Sequence, residues 1–100
     1  MRVRFLRLAQ AELREAVRYY ESRAPSLVAD FLVEITAALD RIADFPAAWP
    51  QVDKELRQYR VARFPYGVVY ADEGDEILIV AVTHLHRRPQ SWRTRLREKK

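Results

Sequence analysis

Residues 77–82 are Ile77-Leu78-Ile79-Val80-Ala81-Val82, and this continuous apolar run decides the fold. A strand with one face in water alternates apolar and polar residues, whereas a strand covered on both faces is apolar throughout. The run therefore predicts a central β-strand. The preceding segment, Asp72-Glu73-Gly74-Asp75, is typical of a hairpin turn and predicts an antiparallel partner strand over residues 67–71.

Upstream of this hairpin the chain continues in extended form and then loses its pattern. Residues 56–64 are typical of a strand, although apolar and charged side chains mix on both of its faces. Residues 45–55 contain Pro46, Trp49 and Pro50 and predict a loop. At the start of the chain, residues 2–7 alternate arginine with apolar side chains, which predicts a short half-buried strand.

Two amphipathic helices are predicted between the first strand and the loop. Over residues 8–23 the apolar positions follow helical spacing, and Glu12, Arg14, Glu15 and Arg18 occupy the opposite face. Pro25 interrupts this helix because it lacks an amide hydrogen, and a second helix can begin there. Its apolar stripe ends near Asp44, so the two helices should form an antiparallel hairpin.

The expected fold is thus α+β, in the order strand, antiparallel helix hairpin and three-stranded antiparallel meander (β-α-α-β-β-β). Sequential strands usually pair, which places the helix hairpin on one face of the meander. A chain of 100 residues, 49% of them apolar, is long enough for one modest core. We therefore expect one domain over residues 1–100, with a basic tail over about residues 85–100.

Composition and charge restrict the possible functions. The chain contains no cysteine, which excludes thiolate metal sites and a cysteine nucleophile. No apolar stretch is long enough for a signal peptide or a membrane span, so we expect a cytoplasmic protein that does not contact membranes. Acidic and basic residues balance through Asp44, whereas seven basic residues and one acidic residue follow His84. Such a tail could bind nucleic acid or an acidic protein, or it could be a solvated terminus.

Catalytic signatures are weak. The sequence has no glycine-rich phosphate loop, no serine elbow and no His-Glu-x-x-His motif. Its only histidines, His84 and His86, would point the same way on a strand, but further metal ligands are not evident, so we expect neither a metal nor a cofactor. Imidazoles beside Arg60, Arg63, Arg87 and Arg88 could instead transfer protons during RNA cleavage. The alternative is a cationic strand end that only binds partners.

The tryptophan of the tail has two interpretations. Trp92 lies among arginines and could stack on a nucleic-acid base. It could equally anchor the tail on the domain as a packing residue. Trp49 lies between two prolines and is expected to anchor its loop, and Tyr66 and Tyr70 are expected to pack with polar tips.

Several segments together resemble the RelE/ParE superfamily of bacterial toxins. The segment from Ala11 to Glu21 is similar to the first helix of these toxins, and Ile42-Ala43-Asp44-Phe45-Pro46 is similar to the end of their second helix. The passage from Arg63 to Tyr70 is similar to their second and third strands, and the passage from His84 to Trp92 to the ending after the last strand. The resemblance covers nearly the whole chain in the right order.

This resemblance implies the fold derived above, a cognate antitoxin as partner, and one of two activities. RelE-like members cleave mRNA on the ribosome, and ParE-like members inhibit DNA gyrase. Of the residues that the nuclease branch uses, Arg60 matches, whereas Ala62, Gly67, His86 and Trp92 stand where the branch has other residue types. His84 could substitute, but the net charge of +4 is low for a nuclease that docks on the ribosome.

We therefore expect a ParE-like growth inhibitor that binds an essential protein such as DNA gyrase. Its target-binding residues would be Arg63, Arg88, Trp92 and Arg95. The alternatives are a ribosome-dependent mRNA endonuclease with a rearranged site, in which Arg60, His84, His86 and Arg87 would be catalytic, and a relative that has lost toxicity. In each case the antitoxin would lay an apolar helix or extended segment in a groove beside the helix hairpin.

Overall fold

The computed structural model describes residues 2–86 and 91–98. Within these residues the chain forms five strands in one sheet, a helix hairpin and a short helical tail. The elements are β1 (Arg2–Phe5), α1 (Arg7–Arg23), a 3₁₀ turn (Pro25–Leu27), α2 (Val28–Asp44), β2 (Gln51–Asp53), β3 (Leu56–Arg60), β4 (Tyr66–Asp72), β5 (Glu76–His84), a second 3₁₀ turn (Ser91–Thr94) and α3 (Arg95–Glu98).

The sheet confirms the predicted α+β fold and adds one strand to it. Its order is β1-β5-β4-β3-β2, with β5 inside the sheet as the apolar run predicts. The prediction of a loop over residues 45–55 was wrong for Gln51–Asp53, which pairs antiparallel with β3. The meander therefore has four strands instead of three. A strand of three residues is too short to produce an alternating sequence pattern, which is why the sequence did not reveal it.

β1 pairs parallel with the first half of β5 at one edge of the sheet. Its inward side chains, Val3 and Phe5, are half-buried, as the alternation predicts. The opposite side carries Arg2 and Arg4, and both donate to the Glu76 carboxylate at the start of β5. The hydrogen bond from Arg4 is the main reason that the pKa of Glu76 lies below its usual value. The ion pairs thus link the first strand to the start of β5.

The sheet is apolar on both faces. The helix-side core contains the buried faces of α1 and α2, and Phe31 lies at its centre. The centroid of the Phe31 ring lies 5.1 Å from those of Tyr20 and Phe64 and 5.4 Å from that of Tyr66. The tail-side core is smaller. It consists of Leu56, Val69, Ala71, Leu78, Val80 and Ala81, covered by Trp92 and, in part, by Leu96.

A β-bulge in β5 changes which side chains face each core. Val69 pairs with Ala81 and the next residue of β4, Tyr70, pairs with Ile79, so Val80 is an extra residue on β5. Val80 and Ala81 consequently both lie in the tail-side core, and Val82 returns to the helix-side core. The bulge therefore reverses the alternation over the last residues of β5.

The strand predicted over residues 56–64 is shorter than expected because the chain turns sharply after Arg60. Residues 61–65 form a turn in which Arg63 has a positive φ of 72°, a region that costs a residue other than glycine about 1 kcal/mol or more. Phe64 closes the turn by packing into the helix-side core. The expected strand over residues 56–64 therefore ends at Arg60.

Candidate functional site

Two of the residues proposed for RNA cleavage, Arg60 and His84, lie at one end of the sheet but on opposite faces. Arg60 is opposite Gly67, which is opposite Thr83, and this row faces the tail side because the neighbouring Tyr59 belongs to the helix-side core. His84 is opposite Tyr66 and contacts its ring at 5.1 Å between centroids, on the helix side. The structure does not bring Arg60 and His84 together on one face.

His84 already uses one of its ring nitrogens within the fold. Its Nδ1 accepts a hydrogen bond from the backbone amide of His86 at 3.2 Å, which places the proton of a neutral ring on Nε2. The two imidazoles contact each other at 5.8 Å between centroids. Among the described residues no group of three side chains is arranged to hold a metal ion. The remaining nuclease candidate, Arg87, and the proposed target-binding Arg88 lie outside the described residues.

Gly67 stands where the resemblance places an arginine of the nuclease branch, and its surroundings are filled. A Cβ atom added to Gly67 would lie 3.0 Å from Cδ of Gln58 and 3.0 Å from Cδ2 of Leu85. These two side chains cover the backbone where a longer residue would project. A larger residue at this position would therefore require both side chains to shift.

Arg63 tethers the turn between β3 and β4 to the second helix. Its guanidinium nitrogens lie 3.2 Å from a carboxylate oxygen of Asp30 and 3.5 Å from one of Glu34, both on α2. Its guanidinium carbon lies 5.8 Å from the centroid of the Phe64 ring. Ion pairs with this degree of exposure contribute little to stability. They do orient the arginine toward the helices, so its predicted contact with a target would have to form beside these carboxylates.

Trp92 and Arg95, both predicted to bind the target, are buried. Trp92 is 5% exposed and packs in the tail-side core, so the structure favours the anchoring interpretation of this residue over stacking on a base. Arg95 donates to the backbone oxygen of Val80 at 3.0 Å and to both carboxylate oxygens of Glu12 at 2.8 and 2.9 Å. In this conformation neither side chain offers surface to a partner.

Glu12 is the residue that sequence reasoning assigned incorrectly. It was placed on the solvent face of the first helix, yet its carboxylate also accepts the backbone N–H of Val82 at 3.0 Å. The second half of β5 extends beyond β1, and its free edge would leave backbone groups without partners. Glu12 and Arg95 supply those partners. No sequence pattern distinguishes this glutamate from its neighbours on the helix.

Both helices of the hairpin carry apolar side chains that are not fully buried. Leu13 and Val17 of α1 and Leu39 of α2 are only partly buried where they pack on the helix-side core, and Leu32 is exposed. Arg14 and Arg18 are exposed on α1 and make no ion pair with any described residue. These residues, called the hairpin surface below, combine partly buried apolar side chains with two arginines that make no ion pair among the described residues, and Glu15 and Glu21 lie beside Arg18. No helix in the described part of the chain could span a membrane.

Comparison with known proteins identifies the family. No curated protein sequence matches the chain. Among solved structures, the chain is similar to one of the chromosomal ParDE toxin–antitoxin system from P. aeruginosa, with a TM-score of 0.69 and 22% identity over 86% of this chain and 97% of that chain. This likeness is one of fold. The sequence model described as ParE toxin of type II toxin-antitoxin system, parDE, matches residues 3–89, which confirms the resemblance to the RelE/ParE superfamily. The chain belongs to the ParE toxin family.

Proposed function

We propose that this chain is a growth-inhibiting toxin that binds an essential bacterial protein, with DNA gyrase as the first candidate, and that a cognate antitoxin neutralises it. The family match over residues 3–89 is the observation that carries the proposal. A target of this kind places the toxin in the bacterial cytoplasm, where gyrase acts.

The arrangement of the sheet end supports protein binding over RNA cleavage. Cleavage requires a base, an acid and cations that converge on one phosphate within hydrogen-bonding distance. Arg60 and His84 are on opposite faces of the sheet, and Gln58 and Leu85 fill the space above Gly67. A ParE-like inhibitor needs no such convergence, because it acts through its surface.

The hairpin surface is the one proposed for the antitoxin. An amphipathic segment could bury its apolar side against Leu13, Val17 and Leu39, and acidic side chains on the segment could pair with Arg14 and Arg18. Charge complementarity of this kind would accelerate association and select an acidic partner.

The proposal predicts a defined result with purified components. Adding the protein to DNA gyrase should inhibit supercoiling, and adding the product of the neighbouring antitoxin gene should restore it. Replacing both Arg14 and Arg18 by glutamate should weaken antitoxin binding by about two orders of magnitude, since like charges would face an acidic partner. Gyrase inhibition should remain.

Two outcomes would argue against this function. Undiminished supercoiling at toxin concentrations that arrest growth would exclude gyrase as the target. Growth that continues normally during induction of the wild-type chain would indicate a relative that has lost toxicity.

A further inference from the structure

The loop between α2 and β2 is exposed and carries no charge. Residues 45–50, called the apolar loop, are Phe45-Pro46-Ala47-Ala48-Trp49-Pro50, and the nearest charged residues are Asp44 and Asp53. The side chain of Phe45 is 62% exposed, and Ala47 and Ala48 are exposed as well. The exposed side chains of the apolar loop are therefore all uncharged and apolar. Their burial against another molecule would be favourable.

The apolar loop is held in place by side chains of the sheet. Tyr70 is fully buried, and its hydroxyl donates to the backbone oxygen of Pro46 at 2.6 Å. Arg57 donates to the backbone oxygen of Trp49 at 2.7 Å, and the Trp49 indole packs against Tyr59 at 4.7 Å between centroids. A loop fixed in this way loses little conformational entropy when it binds, so Phe45 is preorganised for a contact.

The end of α2 beside the apolar loop is acidic. Asp44 is the last residue of α2 and Asp40 lies one turn before it, so both are near the last turn, where the negative end of the helix dipole disfavours carboxylates. The basic residue of that turn, Arg41, donates to the Tyr59 hydroxyl at 2.8 Å. Both aspartates are exposed, and neither makes an ion pair with any described residue. The two carboxylates are therefore available to pair with a cationic partner.

We propose that the apolar loop is the surface with which the toxin contacts its protein target. Phe45 inserts into an apolar pocket of the target, and Asp40 and Asp44 face basic residues on the rim of that pocket. The proposal rests on the proposed function, because it names the contact surface for that same target. Nucleic acid does not fit this surface, since residues 42–53 contain no basic residue and the aspartates would repel phosphates.

The first test is Phe45→Ala, with Val33→Ala as the matched control. Val33 is an apolar side chain of α2 that is 63% exposed, so both substitutions remove exposed apolar atoms and neither should change the melting temperature. We expect Phe45→Ala to raise the Kd for purified DNA gyrase at least tenfold and to abolish growth arrest. Val33→Ala should stay within twofold of wild type in both measurements.

The second test is Asp44→Asn, which separates a binding role from a structural one. Removing the carboxylate from the C-terminal turn of α2 should raise the melting temperature slightly, because it relieves the unfavourable interaction with the helix dipole. The same substitution should raise the Kd for gyrase several-fold at low ionic strength, with a smaller effect at high ionic strength. A purely structural role would move stability and binding in the same direction.

Each outcome of these tests bears on the proposal. If wild type binds gyrase and Phe45→Ala binds equally well, the proposal for the apolar loop is overturned while the proposed function stands. If wild type arrests growth without binding gyrase, loss of arrest in Phe45→Ala supports the loop proposal and retained arrest overturns it. A Phe45→Ala chain that loses only antitoxin binding would assign the loop to the antitoxin, which also overturns the proposal. If wild type neither binds nor arrests, the proposed function fails and the loop proposal fails with it.

Discussion

Replacing Phe31 by alanine is expected to destabilise the fold by about 3–5 kcal/mol. Phe31 is fully buried at the centre of the helix-side core, where it contacts the rings of Tyr20, Phe64 and Tyr66. Its truncation removes the buried ring and leaves a cavity between α2 and the turn that follows β3. For a domain of this size the loss should lower the melting temperature by about 15 °C or more, which thermal unfolding by circular dichroism would measure.

Phe45→Ala is the matched control for this experiment because it makes the same chemical change at an exposed position. Its effect on the free energy of unfolding should stay within about 0.5 kcal/mol. Equal destabilisation by the two substitutions would contradict the assignment of Phe31 to the core and of Phe45 to the surface.

Replacing Glu12 by alanine is expected to cost about 2–3 kcal/mol and to release the tail from the sheet. Glu12 is the carboxylate that neutralises the buried guanidinium of Arg95, and it also accepts the backbone N–H of Val82. Without it, Arg95 would keep its hydrogen bond to Val80 but lose its counterion. The partial exposure of Glu12 keeps the expected cost below that of a fully buried pair.

The fluorescence of Trp92 reports directly on this release. In a Trp49→Phe background the single remaining indole is 5% exposed, so its emission should shift to longer wavelength when Glu12 is removed. A double-mutant cycle with Arg95→Met would isolate the pairwise energy, since the second substitution should add little once the first is made. Fully additive effects with unchanged emission would show that the ion pair does not hold the tail.

The elements that sequence patterns predicted are those with long, regular periodicity. The two helices and the central strand over residues 77–82 carry apolar patterns that local sterics and burial translate into one structure. The hairpin turn before that strand was predicted from its Asp and Gly residues. The strand that the sequence did not predict, Gln51–Asp53, is defined only by its pairing with β3, and no local pattern encodes that pairing.

The surroundings of the candidate functional residues were harder to predict because they depend on where strands bend and edges end. The extra residue at Val80 sits within a continuous apolar run, so the sequence cannot show that His84 changes face relative to a regular strand. Glu12 and Arg95 meet only because β1 is shorter than β5. The exposure of Phe45 likewise follows from the anchoring of its loop by Tyr70, which lies 24 residues beyond Pro46.

These observations also change the importance of the predicted target-binding residues. Trp92 and Arg95 stabilise the tail, and Arg63 is engaged with α2, so three side chains chosen for charge or aromaticity have contacts within the fold. Phe45 lies in a segment predicted as a loop. Its ring is more exposed than that of any other described Phe, Tyr or Trp residue. A fixed aromatic anchor of this kind is typical of residues that dominate binding energy at protein interfaces.

Mapping of mRNA 5′ ends in a bacterial culture shortly after induction of the chain tests the central claim most directly. We expect growth to stop while the 5′ ends remain those of the uninduced culture, as an inhibitor that acts by binding a protein target requires. New, translation-dependent breaks that disappear in Arg60→Ala or His84→Ala would contradict the account and establish a ribosome-dependent nuclease instead.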